Sequence, residues 1–246
     1  MKMEEKKFQM SRKREIERMA RDKRLKMISE RWFLESCKYK YSYNFSWLGR
    51  PIIQYPQDMV AMQEIIWKVN PDLIIETGIA HGWSIIFYAS ILDLLGGNGQ
   101  VLGIDIDIRR HNRIKIERHP MFKRIKMMEG DSIDKHVMDA VYRFARWKER
   151  VILVLDSNHT HAHVFKELTM YSPLVKRDSY IVVFDTVIEN MPDKYFSNRP
   201  WKKGNSPNTA ICDFLKTNNR FRVDREIQSK LLVTVAPDGY LKCIKD

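Results

Sequence analysis

The stretch Leu73-Ile74-Ile75-Glu76-Thr77-Gly78-Ile79-Ala80-His81-Gly82-Trp83-Ser84 decides the fold. An apolar run of strand length ends on an acid, a glycine-containing turn follows, and Ser84 to Leu95 continues as an apolar helix. Gly96-Gly97-Asn98-Gly99 then turns the chain into a second apolar run, Val101 to Ile104, which completes a βαβ unit. Working outward, the alternation predicts strands at Arg124 to Met128, Val151 to Leu155 and Tyr180 to Phe184. Helices are predicted at Ile133 to Trp147 and His163 to Met170. Upstream, Asp58 reads as the cap of a helix through Val69, and downstream Phe221 to Val223 and Leu231 to Val235 read as an antiparallel edge pair.

Strands separated by helices imply an α/β protein whose mostly parallel, doubly wound, Rossmann-like sheet is covered on both faces. Residues 49–246 are assigned to that domain, and residues 1–48 to a basic helical N-terminal arm. The chain has 246 residues, 44% of them hydrophobic, enough for one substantial core. Of its net charge of +12, more than half comes from residues 1–40, which hold 14 basic and 7 acidic side chains.

A basic surface attracts anions without specifying a function. The arm reads as an amphipathic helix or two, packed on the domain or on a second copy of the chain. A peripheral membrane contact is the sharper alternative, and nucleic acid is not favoured. No apolar run is long enough to span a bilayer, and no secretory signal is readable at the start. Cys37, Cys212 and Cys243 are too dispersed for a disulfide framework or a zinc knuckle, so a reducing, cytoplasmic setting is expected.

In a doubly wound sheet ligands bind beyond the carboxyl ends of the strands. The apolar runs end on Glu76, Asp105, Asp156 and Asp185, an expected row of four carboxylates along one edge. The first turn, with Gly78 and Gly82 four apart and Ser84 opening the helix, suits a nucleoside-type ligand better than the dinucleotide G-x-G-x-x-G pattern. Asp105 stands where an acid accepts hydrogen bonds from ribose hydroxyls. Asp131 and Ser132, after the third strand, could reach a base or simply cap a turn. Asp156 and Asp185 end neighbouring strands about 4.8 Å apart, close enough to share a hard cation, with Mg2+ the natural candidate. His159 and His161 in Asp156-Ser157-Asn158-His159-Thr160-His161-Ala162-His163 are candidate proton acceptors, with a histidine-bound metal as the alternative.

The motifs Gly49-Arg50-Pro51-Ile52, Glu76 to Gly82, Gly103-Ile104-Asp105-Ile106-Asp107, Leu155-Asp156-Ser157-Asn158-His159, Phe184-Asp185-Thr186 and Arg199-Pro200-Trp201 together resemble the cephalosporin hydroxylase and rhamnosyl O-methyltransferase family. The resemblance covers about residues 48–216. It implies a class I methyltransferase fold that binds S-adenosylmethionine, with Glu76, Gly78, Gly82 and Ser84 around the methionine part, Asp105 on the ribose, and Asp131 and Ser132 near the adenine. It also implies Mg2+ held by Asp156 and Asp185. Phe184 and Thr186 flank Asp185 where a further acid or amide ligand is common, which leaves the third protein ligand open.

The reading that follows is Mg-assisted methyl transfer to a hydroxyl, of a sugar in a glycolipid or polysaccharide precursor, with Asp156 orienting the site and His159 or His161 taking the proton. Asn190 to Asn208, rich in aromatic and basic residues, is expected to close over the substrate. Two alternatives stand beside it: tailoring of a small secondary metabolite, as in the hydroxylase branch, and a non-catalytic scaffold that binds nucleic acid or an anionic membrane through its arm.

Overall fold

A computed structural model describes residues 2–246. In chain order the elements are α1 (Lys2–Arg21), α2 (Lys23–Cys37), the short strands β1 (Ser46–Trp47) and β2 (Arg50–Pro51), α3 (Pro56–Val69), β3 (Leu73–Thr77), α4 (Trp83–Leu95), β4 (Gln100–Asp105) and α5 (Arg110–Glu117). They continue with β5 (Ile125–Glu129), α6 (Lys135–Ala145), β6 (Val151–Leu155), α7 (His161–Tyr171), β7 (Tyr180–Val183), α8 (Pro207–Thr217), β8 (Phe221–Val223), α9 (Arg225–Leu231) and β9 (Tyr240–Cys243).

Seven strands form the main sheet in the order β5-β4-β3-β6-β7-β9-β8, and β9 alone runs antiparallel to its neighbours β7 and β8. Side-chain alternation assigns the two faces. Ile74, Ile152, Val154 and Val182 pack with α3 and α4, whereas Leu73, Ile75, Leu153, Leu155, Ile181 and Val183 pack with α6, α7 and α8. Because both faces are covered, β3 and β6 are buried at every position, which explains the unbroken apolar sequence of β6 and the run Leu73-Ile74-Ile75 that opens β3 before the buried Glu76 and Thr77.

The strand order reverses between β3 and β6, and that switch point opens the crevice where ligands of this fold class bind. Gly78, at φ 92°, makes the turn there possible. A side chain on it would meet the Asp156 carbonyl oxygen at 2.2 Å, so the glycine is required by the close approach of two strand ends. Gly82, at φ 78°, caps α4 and packs on Ile116 in the same tight way.

Three expectations are corrected. Asp58 lies inside α3, whose cap position is Tyr55, and its fully buried carboxylate accepts hydrogen bonds from Thr234, from the Val235 N–H at 3.0 Å and from Tyr240 at 2.7 Å. The antiparallel edge forms, but β8 pairs with Tyr240–Cys243; the run from Leu231 ends α9 and continues as a loop held by Asp58. The basic stretch Arg110–Glu117, for which no element was expected, is helix α5.

The arm is two helices broken at Asp22, whose side chain accepts from the Leu25 N–H at 2.9 Å and so caps α2. α2 docks through Phe33, which stacks on Tyr55 at 4.9 Å, while Ser36 shares a 2.8 Å hydrogen bond with the Tyr55 hydroxyl. No described helix is long and apolar enough to cross a membrane.

Candidate active site

The carboxyl ends of β3, β4, β6 and β7 meet around two adjoining cavities. The smaller, of about 300 Å³, is lined by Asp105, Gly130, Asp131, Ser132, Asn158 and His163 among others. The larger, of about 530 Å³, runs from Ile79, Trp83 and Ser84 past Asp156, His159 and Asp185 to Tyr43, Tyr195, Phe196 and Trp201. Gly78, Ala80, Asp156 and Ser157 line both, so the two cavities join beside Asp156.

Asp105 closes β4 and works first on the backbone. One carboxylate oxygen accepts the Ile79 and Ala80 N–H groups at 2.7 and 3.1 Å, and the other accepts the Asp107 N–H at 3.1 Å. It therefore sets the shape of the glycine turn and, with lone pairs left over on a half-buried side chain, still faces the smaller cavity. Asp131 accepts the Ile133 N–H at 3.1 Å and lines the same cavity.

Glu76 does not join an open row of acids. It is 0% exposed, accepts from Ser84 Oγ at 2.5 Å and from the Tyr88 hydroxyl at 3.2 Å, and lies beneath the cavity floor. Burial pushes its pKa up to about 8, against the lowering effect of those two hydroxyls.

Asp156, His159 and Asp185 each offer a ligand atom, and the three atoms lie within 4.8 Å of one another. His159 Nε2 sits 3.2 Å from an Asp185 oxygen, and its ring meets Trp201 edge-on at 4.8 Å. Burial, and then the charges of Asp185, Glu76 and Glu167, raise the Asp156 pKa well above the usual carboxylate range. Crowded carboxylates of this kind are stabilised by a cation, and the donors fit one: two hard oxygens suit Mg2+, and the imidazole extends the fit to Mn2+ and other transition ions. The imidazole of His159, three residues after Asp156, is the group placed where a third donor would stand, instead of one beside Asp185.

His161 does not join this group. Its Nδ1 is 2.9 Å from Thr209 Oγ1 and its ring stacks on Phe165, so it secures α7 against α8 and lines neither cavity. Sequence reasoning also missed the network beside the smaller cavity. There the fully buried Glu167 accepts from Ser132 Oγ at 2.6 Å and Ser157 Oγ at 2.8 Å, and pairs with His163 Nε2 at 3.3 Å. Burial alone would lower the His163 pKa, but the hydrogen bond and charge of Glu167 leave it raised. The signal was present: His163 and Glu167 are four apart on one helix, the spacing that pairs side chains.

The expected substrate loop is a wall of the larger cavity. Tyr195, Phe196, Arg199 and Trp201 line it, and the Tyr195 hydroxyl reaches the Leu34 carbonyl of α2 at 3.4 Å. Phe33 and Cys37 of α2 face the same space, so the arm helps to enclose it.

This strand order, with a glycine turn after β3 and an acid ending β4, is the class I, Rossmann-like fold of methyltransferases. A CmcI apo structure superposes with TM-score 0.59 at 16% identity over 83% of this chain and 78% of that one, and a CmcI Mg-SAM structure with TM-score 0.57 at 18% identity over 82% and 77%. A rhamnosyl O-methyltransferase of Mycobacterium tuberculosis H37Rv is 28% identical over 188 residues, 75% of this chain and 72% of that protein. One from Mycobacterium leprae is 28% identical over 60% and 62% of the two chains. Residues 39–244 match the rhamnosyl O-methyltransferase/CmcI family, and the chain belongs to it. By class it is an S-adenosylmethionine-dependent O-methyltransferase.

Proposed function

We propose that this enzyme transfers a methyl group to a sugar hydroxyl in a glycolipid or polysaccharide precursor, with Mg2+ held by Asp156, Asp185 and His159. The observation that carries this reading is the Asp156-His159-Asp185 cluster in the larger cavity, with Asp156 at its junction with the smaller one. The aromatic walls contributed by Tyr43, Tyr195, Phe196 and Trp201 suit the apolar faces of a sugar ring, and the names of the curated relatives point the same way.

When bound, S-adenosylmethionine supplies the electrophilic methyl group, and Mg2+ supplies the Lewis acidity that favours the ionised acceptor hydroxyl. The protein's own residues supply position. Asp105, Asp131 and Ser132 take the nucleoside part in the smaller cavity, while Gly78, Gly82 and Ser84 shape the floor for the methionine part, with Glu76 supporting Ser84 from below. Asp156 stands where the two meet, so an acceptor oxygen placed beside it adjoins the cofactor space, which is the alignment that an in-line transfer needs. Trp201 and Asp185 hold the His159 ring from two sides and fix its orientation. Were its Nε2 free of the ion, the same ring could accept the acceptor's proton.

Calorimetry of S-adenosylmethionine binding with and without Mg2+, on the wild type and on Asp105→Ala and Asp156→Ala, tests this. Cofactor binding lost in the first variant and metal binding lost in the second is the expected result, followed by methylation of a rhamnosyl acceptor. No cofactor binding under any metal condition would overturn it.

A further inference from the structure

On the far side of the Ala80-His81 turn, sharing no lining residue with either cavity of the active site, is a third cavity of about 580 Å³. Its charged and titratable lining is Arg50, His81, His111, Lys115, Arg118 and His119, with no carboxylate. His111 and Lys115 are four apart on α5, and Arg118 caps the helix three residues later, so all three project from one face.

Arg50 is the anomaly. It is 5% exposed, yet no described carboxylate lies within ion-pair distance of it. Its guanidinium donates to the His81 carbonyl from both Nε and Nη2 and to Asn112 Oδ1 at 3.1 Å, all neutral acceptors, and Nη1 makes no hydrogen bond to the protein. Buried cations are ordinarily paired, because desolvation must be offset by an opposite charge. Even the less buried Arg113 and Arg124 have carboxylate partners, Glu129 at 2.8 Å and Asp93 at 2.8 Å. Lys115 and Arg118 pair with no described carboxylate, and their charges add to that of Arg50.

We propose that this cavity is a second ligand site, separate from the methyl-transfer site, that takes a phosphate-class anion, a monophosphate or diphosphate group. An anion there supplies the missing countercharge to three cations at once. Nη1 of Arg50, the Arg118 guanidinium and the Lys115 ammonium are donors of the kind that phosphate oxygens accept. The imidazoles of His81 and His111 at the rim add N–H donors, whereas His119 is spent on the Leu48 carbonyl at 3.0 Å and the Met121 N–H at 3.2 Å, and the cavity has room for the group that carries the phosphate.

The test uses the full chain at constant ionic strength. Inorganic pyrophosphate and orthophosphate are titrated by calorimetry, and phosphatidylglycerol vesicles are offered in parallel by co-sedimentation. Three proteins are compared: the wild type, the exposed pair Lys115→Ala/Arg118→Ala, and the charge-matched pair Lys13→Ala/Arg14→Ala on α1. Unchanged S-adenosylmethionine binding reports that each variant is folded. Pyrophosphate binding that weakens about tenfold or more only in the Lys115/Arg118 pair supports a site for free phosphate groups. Vesicle binding lost in that pair alone, without pyrophosphate binding, supports the same site with a lipid headgroup as the source. No binding of either probe, or equal weakening in both double variants, overturns the proposal, since the second result is what net charge alone would give.

Discussion

His159 Nε2 stands 3.2 Å from Asp185 Oδ2 although the two residues come from different strand-end loops, one after β6 and one after β7. That contact converts a pair of carboxylates into a three-donor cluster with Asp156. If the imidazole is a donor to the ion, His159→Ala weakens Mn2+ binding about tenfold or more, and Asp156→Asn weakens it further. Electron paramagnetic resonance of Mn2+ titrations reads this directly, and wild-type affinity in His159→Ala would remove the imidazole from the ligand set. Chelation of the metal is expected to stop methyl transfer.

Glu76 holds two buried hydroxyls, those of Ser84 and Tyr88. Glu76→Ala strands both, at a cost of about 1–3 kcal/mol for each unsatisfied group, whereas Glu76→Gln keeps an acceptor and costs less. Urea denaturation of the two variants measures the difference. An alanine variant as stable as wild type would show that the pocket relaxes or admits water.

Phe33 joins α2 to the rest of the molecule by stacking on Tyr55, and it lines the larger cavity. Phe33→Ala is expected to destabilise the protein by about 3–5 kcal/mol. It should also raise the KM for the acceptor more than it changes S-adenosylmethionine affinity, because the smaller cavity contains no residue of the arm. Equal effects on both substrates would argue against the arm as an acceptor wall.

Asp58 is fully buried, and burial raises its pKa from 3.8 to about 6 despite hydrogen bonds from Thr234, Tyr240 and the Val235 N–H. The folded state therefore holds the proton more tightly than the unfolded chain. Its favourable contribution is fully present below about pH 4 and is lost as pH rises through about 6, a change of roughly 3 kcal/mol. Wild-type stability relative to Asp58→Asn should fall across that window, as measured by denaturant unfolding at a series of pH values. A constant difference would mean that Asp58 titrates normally.

Much of the site was legible because it sits at the ends of long apolar strands. Asp105, Asp156 and Asp185 each close or follow such a run, and topology alone brings them to one edge. Glu76 was misplaced because the same pattern does not reveal that a side chain one residue before the strand end points into the α4 interface. His161 was overvalued for a related reason. In an alternating His run on a helix start, each ring points in a different direction, and only tertiary contacts with Trp201, Thr209 or Glu167 distinguish them.

The sequence by itself determined the alternation of strands and helices, because periodic burial is written into the spacing of apolar residues and turns into their glycines. It also placed Asp105, Asp156 and Asp185 at strand ends on one edge of the sheet, and it showed that the arm is helical. Only the tertiary structure decided which charges have partners. It buried Asp58 against a loop 176 residues away, left Arg50 without a carboxylate, and chose His159 from three histidines as the companion of Asp156 and Asp185. Pairing depends on distances of a few ångströms between segments far apart in the chain, and local sequence preferences do not encode such distances.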